Sequence, residues 1–141
     1  MTTRRTAIAG ILGALVLSLS SAGTAASGTV TGTAAATPGE LWNRTELYFG
    51  AERPDGTAIT PTEFELFLDK EVTPAFPDGL TWLEAHGQWM GGKEESYLLI
   101  LLYPRKDRQA NREIEEIRAD YKRLFDQQSV LRADSTDRVS F

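Results

Sequence analysis

Seven consecutive residues, Tyr97 to Tyr103 (YLLILLY), carry no polar group beyond the two terminal phenols, and Pro104 closes them. An amphipathic helix or a half-exposed strand would interrupt such a run with polar residues at regular intervals. Apolar side chains at both parities need cover on both faces, so the segment reads as a central strand. Proline then ends it, having no N–H to give to the ladder. The rest of the chain must supply neighbouring strands and covering helices.

The flanking segments do so. Trp42 to Gly50 (WNRTELYFG) is rich in aromatic and β-favouring residues and stops at glycine. It predicts a first strand with Leu47 and Phe49 on one face and Glu46 and Tyr48 on the other. Pro54-Asp55-Gly56 is a turn. Thr60-Pro61-Thr62-Glu63 then has a capping-box pattern, with Thr as the cap, Pro in the first helical position and Glu three residues after the cap. The helix it starts carries Phe64, Phe67 and Leu68 as one stripe and must end before Pro74. Pro77-Asp78-Gly79 repeats the turn chemistry and launches Leu80–Met90 as a second strand, broken by Gly91-Gly92. From Asp107 the period becomes helical: Ile114, Ile117, Tyr121 and Leu124 share a face that Phe125 widens, opposite Arg112, Glu116, Asp120 and Arg123. Ser129–Ala133 (SVLRA) reads as a last strand, with Arg138–Phe141 as a short edge piece. The order β-α-β-β-α-β predicts an α+β, ferredoxin-like split βαβ fold, a four-stranded antiparallel sheet with two helices on one face. Right-handed crossovers put the first and third strands in the middle, in agreement with YLLILLY.

Composition narrows the function classes. With 41% hydrophobic and 25% charged residues in 141, the chain has the profile of a globular protein, neither disordered throughout nor polytopic. The absence of cysteine removes disulfides, zinc–thiolate sites, iron–sulfur clusters and cysteine nucleophiles. A net charge of −5 leaves no electrostatic footprint for nucleic acid. His86 is the single histidine and no D-x-D-x-D-G loop occurs, so neither a metal nor a cofactor is expected.

The N-terminus reads as an address. Arg4 and Arg5 precede an uncharged run from Ala7 to Leu19, and small residues follow to Ala26. That layout predicts a secretory signal peptide over residues 1–26, its apolar centre shorter than the roughly 20 residues of a membrane span. Thr3-Arg4-Arg5 suits twin-arginine export as well as ordinary secretion. Residues 27–39 (SGTVTGTAAATPG) hold nothing that could bury a core and predict a flexible linker. A single domain over 40–141 is expected in the periplasm or outside the cell, without a membrane span after cleavage. All 20 acidic residues lie at Glu40 or beyond, so the exported part is more acidic than the whole.

Several segments are specific enough to compare with a known family. TELYFG (Thr45–Gly50), FLDKEVTPAFPDGLT (Phe67–Thr81), GQW (Gly87–Trp89), IRADYKRLF (Ile117–Phe125), QSVLR (Gln128–Arg132) and the final VSF span nearly the whole domain. In them the chain resembles a bacterial family of small exported proteins, the domain of unknown function 3574. In that family Arg is common where this chain has Ala75, and a histidine at His86 is not a fixed feature. The resemblance implies export and the domain limits and supplies no chemistry.

Candidate chemistry is sparse. Gly87 to Lys93 fits G-x-x-x-x-G-K, but Glu94 replaces the magnesium-binding hydroxyl and a strand follows where phosphates need a helix N-terminus, so the motif reads as a glycine hairpin. Any histidine-based acid–base chemistry must use His86. The stronger candidate is a surface. With Leu47, Phe49, Leu83, Ala85 and Trp89 facing the helices, the open sheet face would hold Glu46, Tyr48, Trp82, Glu84, His86 and Gln88, joined by Arg132 from the last strand. A face mixing aromatics with Glu, His, Gln and Arg calls for a cover.

Three readings compete for that cover. Two copies pack sheet to sheet as a homodimer. Or the face binds a small aromatic or amphipathic ligand, Trp82 and Tyr48 stacking on it and Gln88 or Arg132 orienting it. Or a dimeric ferredoxin-like barrel encloses a cofactor-independent active site with His86 or Glu46 as general base. The expectation is a binding or interaction module using this face, with the enzyme as the alternative.

Overall fold

The computed structural model describes residues 38–141. The signal peptide expected over 1–26 lies outside the described residues, as does the linker expected over 27–39 except for its last two residues. The elements are β1 (Glu40–Gly50), α1 (Pro61–Phe67) continued by one π-helical turn (Leu68–Val72), β2 (Thr81–Trp89), β3 (Gly92–Pro104), α2 (Ala110–Leu124) and β4 (Leu131–Val139). The strands form one sheet in the order β2-β3-β1-β4, every neighbour antiparallel. This is the α+β arrangement expected from the sequence, with β1 and β3 central. Among the described residues no helix is long and apolar enough to cross a membrane.

Local chemistry sets the elements. Thr60 accepts from the Glu63 N–H while the Glu63 carboxylate takes the Thr60 N–H, a closed capping box with Pro61 opening the helix. Phe64 and Phe67 point from α1 into the core, and Ile114, Ile117 and Tyr121 meet them from α2. Leu47 and Phe49 of β1 and Tyr97, Leu99, Leu101 and Tyr103 of β3 form the sheet side. Phe64 stacks on Tyr97 at a centroid distance of 4.3 Å, and Phe49 lies 4.5 Å from Tyr121.

Three expectations change. First, β3 is central, yet only one of its faces is covered: Leu98 and Ile100 are half-buried and Leu102 is exposed on the face away from the helices. Secondly, the parity of β2 is reversed. Trp82 lies opposite Leu99, a core residue, and packs edge-on to Phe64 at 5.5 Å and to Tyr97 at 5.9 Å. Trp82, Glu84, His86 and Gln88 therefore belong to the helix side, and Leu83 and Ala85 to the open face. Trp82 lies mid-strand beside the aromatic core, so turning its indole inward buries more surface than turning its neighbour Leu83 inward. The side chain of Trp89, also expected on the helix side, lies outside what the structure describes. Thirdly, Arg132 lies opposite Leu47 and so also sits on the helix side, while β4 is one nine-residue strand where the sequence suggested two pieces.

Candidate functional site

The register aligns a band across all four strands of the open face. Leu83 pairs with Leu98, Leu98 with Tyr48, and Tyr48 with Leu131. The next row is made of small residues: Ala85 opposite Ser96, and Ser96 opposite Gly50. Beyond it Gly87 lies opposite Glu94 in the β2–β3 hairpin. Small residues beside a band of large ones leave a trough, and the loop from α2 to β4 forms its further wall.

That loop is aimed by the end of α2. Phe125 closes the helix by donating its N–H to Tyr121 O, and Asp126 follows with φ 54°, the left-handed conformation that short polar side chains tolerate. The reversal swings Gln127 over β1, where Nε2 donates to Glu52 O (2.8 Å) and Phe125 O (3.3 Å). Gly50 leaves room beneath it: a Cβ there would come within 2.9 Å of Gln127 Oε1, so that the flexible amide would have to shift, and would touch Glu94 Oε1 at 3.5 Å. Tyr121, fully buried, anchors the same spot by donating its hydroxyl to Gly50 O at 2.9 Å. The trough encloses about 840 Å³, and Tyr48, Gly87, Gln88, Gln127, Ser129, Val130, Leu131 and Ala133 are among the residues lining it. This volume is within the range of small-molecule sites, roughly 300–1,000 Å³.

Beside the trough, Arg44, Glu46 and Tyr48 form a self-satisfied row along β1. Arg44 Nη2 donates to Glu46 Oε1 at 2.6 Å and the Tyr48 hydroxyl to Glu46 Oε2 at 2.8 Å. These hydrogen bonds, from Arg44 first and Tyr48 second, hold the Glu46 carboxyl below its ordinary range. The same bond to Glu46, reinforced by burial, raises the Tyr48 phenol.

Of the six residues singled out from the sequence, the structure brings Tyr48 to the trough and Glu46 to the Tyr48 hydroxyl, while Gln88 borders the trough from the β2–β3 hairpin although its strand parity is that of the helix side. It separates the other three. Trp82 is packed on Phe64 and Tyr97. His86 sits on the edge strand with its side chain 79% exposed and its Nδ1 against Glu95 Oε2. Arg132 is held by Asn111 (3.0 Å), Glu115 (2.8 Å) and Asp134 (3.0 Å). It lines a second, polar cavity of about 390 Å³ with Asn43, Tyr103, Asp107 and Asp134. Among the described residues no group of three or more His, Cys, Asp or Glu could hold a metal ion.

Sequence reasoning missed Gly50, Glu94, Gln127, Leu131 and Ala133. Gly50 read as a strand terminator, which it also is. Gln127 stands in no motif, because its placement depends on the reversal at Asp126.

No curated protein matches the chain. Among solved structures, the phage SAM lyase in complex with S-methyl-5'-thioadenosine superposes with a TM-score of 0.53 at 11% identity, covering 70% of this chain and 90% of that one. The phage SAM lyase in its apo state gives 0.52 at 12%, covering 74% and 95%. At that identity the likeness is one of fold. A family model described as "Protein of unknown function (DUF3574)" matches residues 44–141, as the sequence resemblance implied, and the chain belongs to that family.

Proposed function

We propose that this domain is a binding module for a small amphipathic molecule lodged in the trough between the β2–β3 hairpin, the end of β1 and the Asp126–Val130 loop. The observation that carries the reading is the trough of about 840 Å³, built from a row of small residues beside Tyr48 and Leu131. Tyr48, Leu131 and Ala133 give an apolar surface, and Gln127 and Ser129 add polar ends. A general base has less support. Glu46 is held below its ordinary range, which weakens it as a proton acceptor, and His86 lies outside the trough on an exposed edge.

Chemical-shift mapping of the purified protein against a panel of small metabolites tests the proposal. S-methyl-5'-thioadenosine is the natural first probe, because a protein of the same fold holds it. Shifts centred on Tyr48, Gly50, Gln127 and Leu131, lost in Ala133→Trp, are expected for the ligands that bind. A ligand whose shifts map elsewhere, or survive that substitution, refutes the assignment.

The open face favours a second reading, self-association. Leu83, Leu102 and Leu131 are 41%, 37% and 52% exposed, and Leu98 and Ile100 lie between them. Near the centre Arg44 faces Glu46, so a second copy turned about a two-fold axis meets a neutral, self-complementary patch although the chain as a whole is acidic. Light scattering coupled to size exclusion tests it: Leu98→Lys should convert a dimer to a monomer, and a wild-type monomer at all concentrations removes it. With residues 1–26 read as an export signal, the module acts in the periplasm or outside the cell. Fractionation of tagged cells tests that location.

A further inference from the structure

The polar groups of the trough have a common sense, and we infer from it that the occupant is an organic cation: an amine or other multi-donor head on an apolar body. The inference rests on the trough being the binding site. Gln127 commits both amide protons, to Glu52 O and Phe125 O, so only its Oε1 remains open. Tyr48 commits its proton to Glu46, leaving the phenol oxygen as an acceptor. Ser96 directs its proton to Ala85 O at 3.3 Å. Glu94 adds a carboxylate: its Oε1 and Gln127 Oε1 both lie near Gly50, 3.5 Å and 2.9 Å from where a Cβ on that glycine would stand.

Two acceptors thus flank the bare Gly50 backbone at the floor of the cavity. The charges lining the trough agree: Glu52, Glu94 and Asp126 stand against Arg53 alone. The Arg53 guanidinium is already engaged, Nη2 with Glu63 at 2.6 Å, Nη1 with Ala58 O at 2.9 Å, and its Cζ over the Phe125 ring, 5.5 Å from the centroid. An ammonium placed above Gly50 would meet Gln127 Oε1 and the Glu94 carboxylate, with the Tyr48 ring beside it. A carboxylate or phosphate there would face acceptors on every side. Gln128 and Ser129, which donate as well as accept, also line the trough and would orient the remainder of the ligand.

Three probes of one shape and different charge test the inference: phenethylamine, 2-phenylethanol and 3-phenylpropionate, titrated into the 15N-labelled protein and followed at Gly50, Leu131 and the Gln127 side-chain amide. The amine should bind about tenfold more tightly than the carboxylate at low salt, with the alcohol between them. Glu94→Gln should bring that ratio to about threefold or less, with the amine weakened more than the alcohol. Equal binding of amine and carboxylate, or a preference untouched by Glu94→Gln, overturns the cation assignment while the trough stands as the site. Shifts for none of the three at these residues overturn both.

Discussion

Among the described residues Thr45 is the one buried polar residue besides the core tyrosines, 0% exposed at the centre of β1, and its replacement by valine isolates a single hydroxyl. The hydroxyl donates to Asp134 Oδ1 at 2.6 Å. With its one proton so placed, Thr45 Oγ1 accepts from the Tyr103 hydroxyl at 3.0 Å. Valine fills nearly the same volume, so packing survives while Tyr103 and Asp134 each lose a partner. A hydrogen bond to a charged group contributes about 1.5–3 kcal/mol. Because Tyr103 and Asp134 both border the second cavity, water can replace part of it, and the expected loss at pH 7 is about 1.5 kcal/mol. In urea that is a fall in midpoint of about 1 M at unchanged slope. Burial pushes the Asp134 carboxyl up, but hydrogen bonds from Thr45 and Arg132 outweigh it and its pKa lies below the ordinary 3.8. A depressed carboxylate stabilises above its unfolded pKa and loses that contribution as pH falls through its folded one. Thr45→Val removes one of the lowering causes. The gap between wild type and variant should therefore be full at neutral pH and narrow below about 3.8, while the Asp134 titration moves upward. Adding Tyr103→Phe should cost less than the two single losses combined, since the tyrosine proton has already lost its acceptor. A Thr45→Val variant within about 0.5 kcal/mol of wild type, with the Asp134 titration unmoved, would show that the hydroxyl does not hold this carboxylate.

Other expectations follow from the same contacts. Phe64→Ala, which removes a ring touching Phe49, Phe67, Tyr97 and Trp82, should cost about 3–5 kcal/mol by denaturant unfolding, and a loss under 2 would contradict its central place. Trp82→Ala should cost about 2–3 kcal/mol and leave trough ligands unaffected, whereas a variant of full stability would return the indole to solvent. The Glu63 carboxyl, held by the Thr60 N–H, Arg53 and the Thr60 hydroxyl, should titrate at about 2 instead of 4.5 by carbon-detected NMR. Its contribution is complete above 4.5 and fades as pH falls towards 2; Glu63→Gln should lessen acid sensitivity in that window, and an ordinary titration of Glu63 would refute the closed cap.

The sequence is most legible where local chemistry and burial point the same way. The Thr60–Glu63 box and Pro61 admit one solution, which the structure adopts, and the YLLILLY run is the central strand it reads as, though covered on one face only. β4 is less legible because Asp134, Ser135 and Asp137 are poor strand formers taken singly. Their pairing with Thr45, Arg44 and Trp42 of β1 overrides propensity, and Asp134 is held there by Thr45 and Arg132. The trough is less legible still. It joins residues from β1, the hairpin and the α2–β4 loop that share no motif, and its wall depends on one left-handed residue, Asp126.

The parity of β2 shows how one edge strand redirects a functional reading. Its alternation offers Trp82, Glu84, His86 and Gln88 on one side and Leu83, Ala85 and Gly87 on the other, and an edge strand has only β3 to decide between them. The decision is made by the indole, which finds Phe64 and Tyr97 waiting beneath α1. Once Trp82 turns inward, Glu84 and His86 go to the helix side of an exposed edge, and the open face receives Leu83, Ala85 and Gly87 instead. The polar face that the sequence suggested becomes an apolar band with a row of small residues above it. That exchange leaves the trough open, since Ala85 and Gly87 occupy the open face where Glu84 and His86 would otherwise project. The placement of Trp82 thus takes His86 away from the open face and leaves room there for the trough.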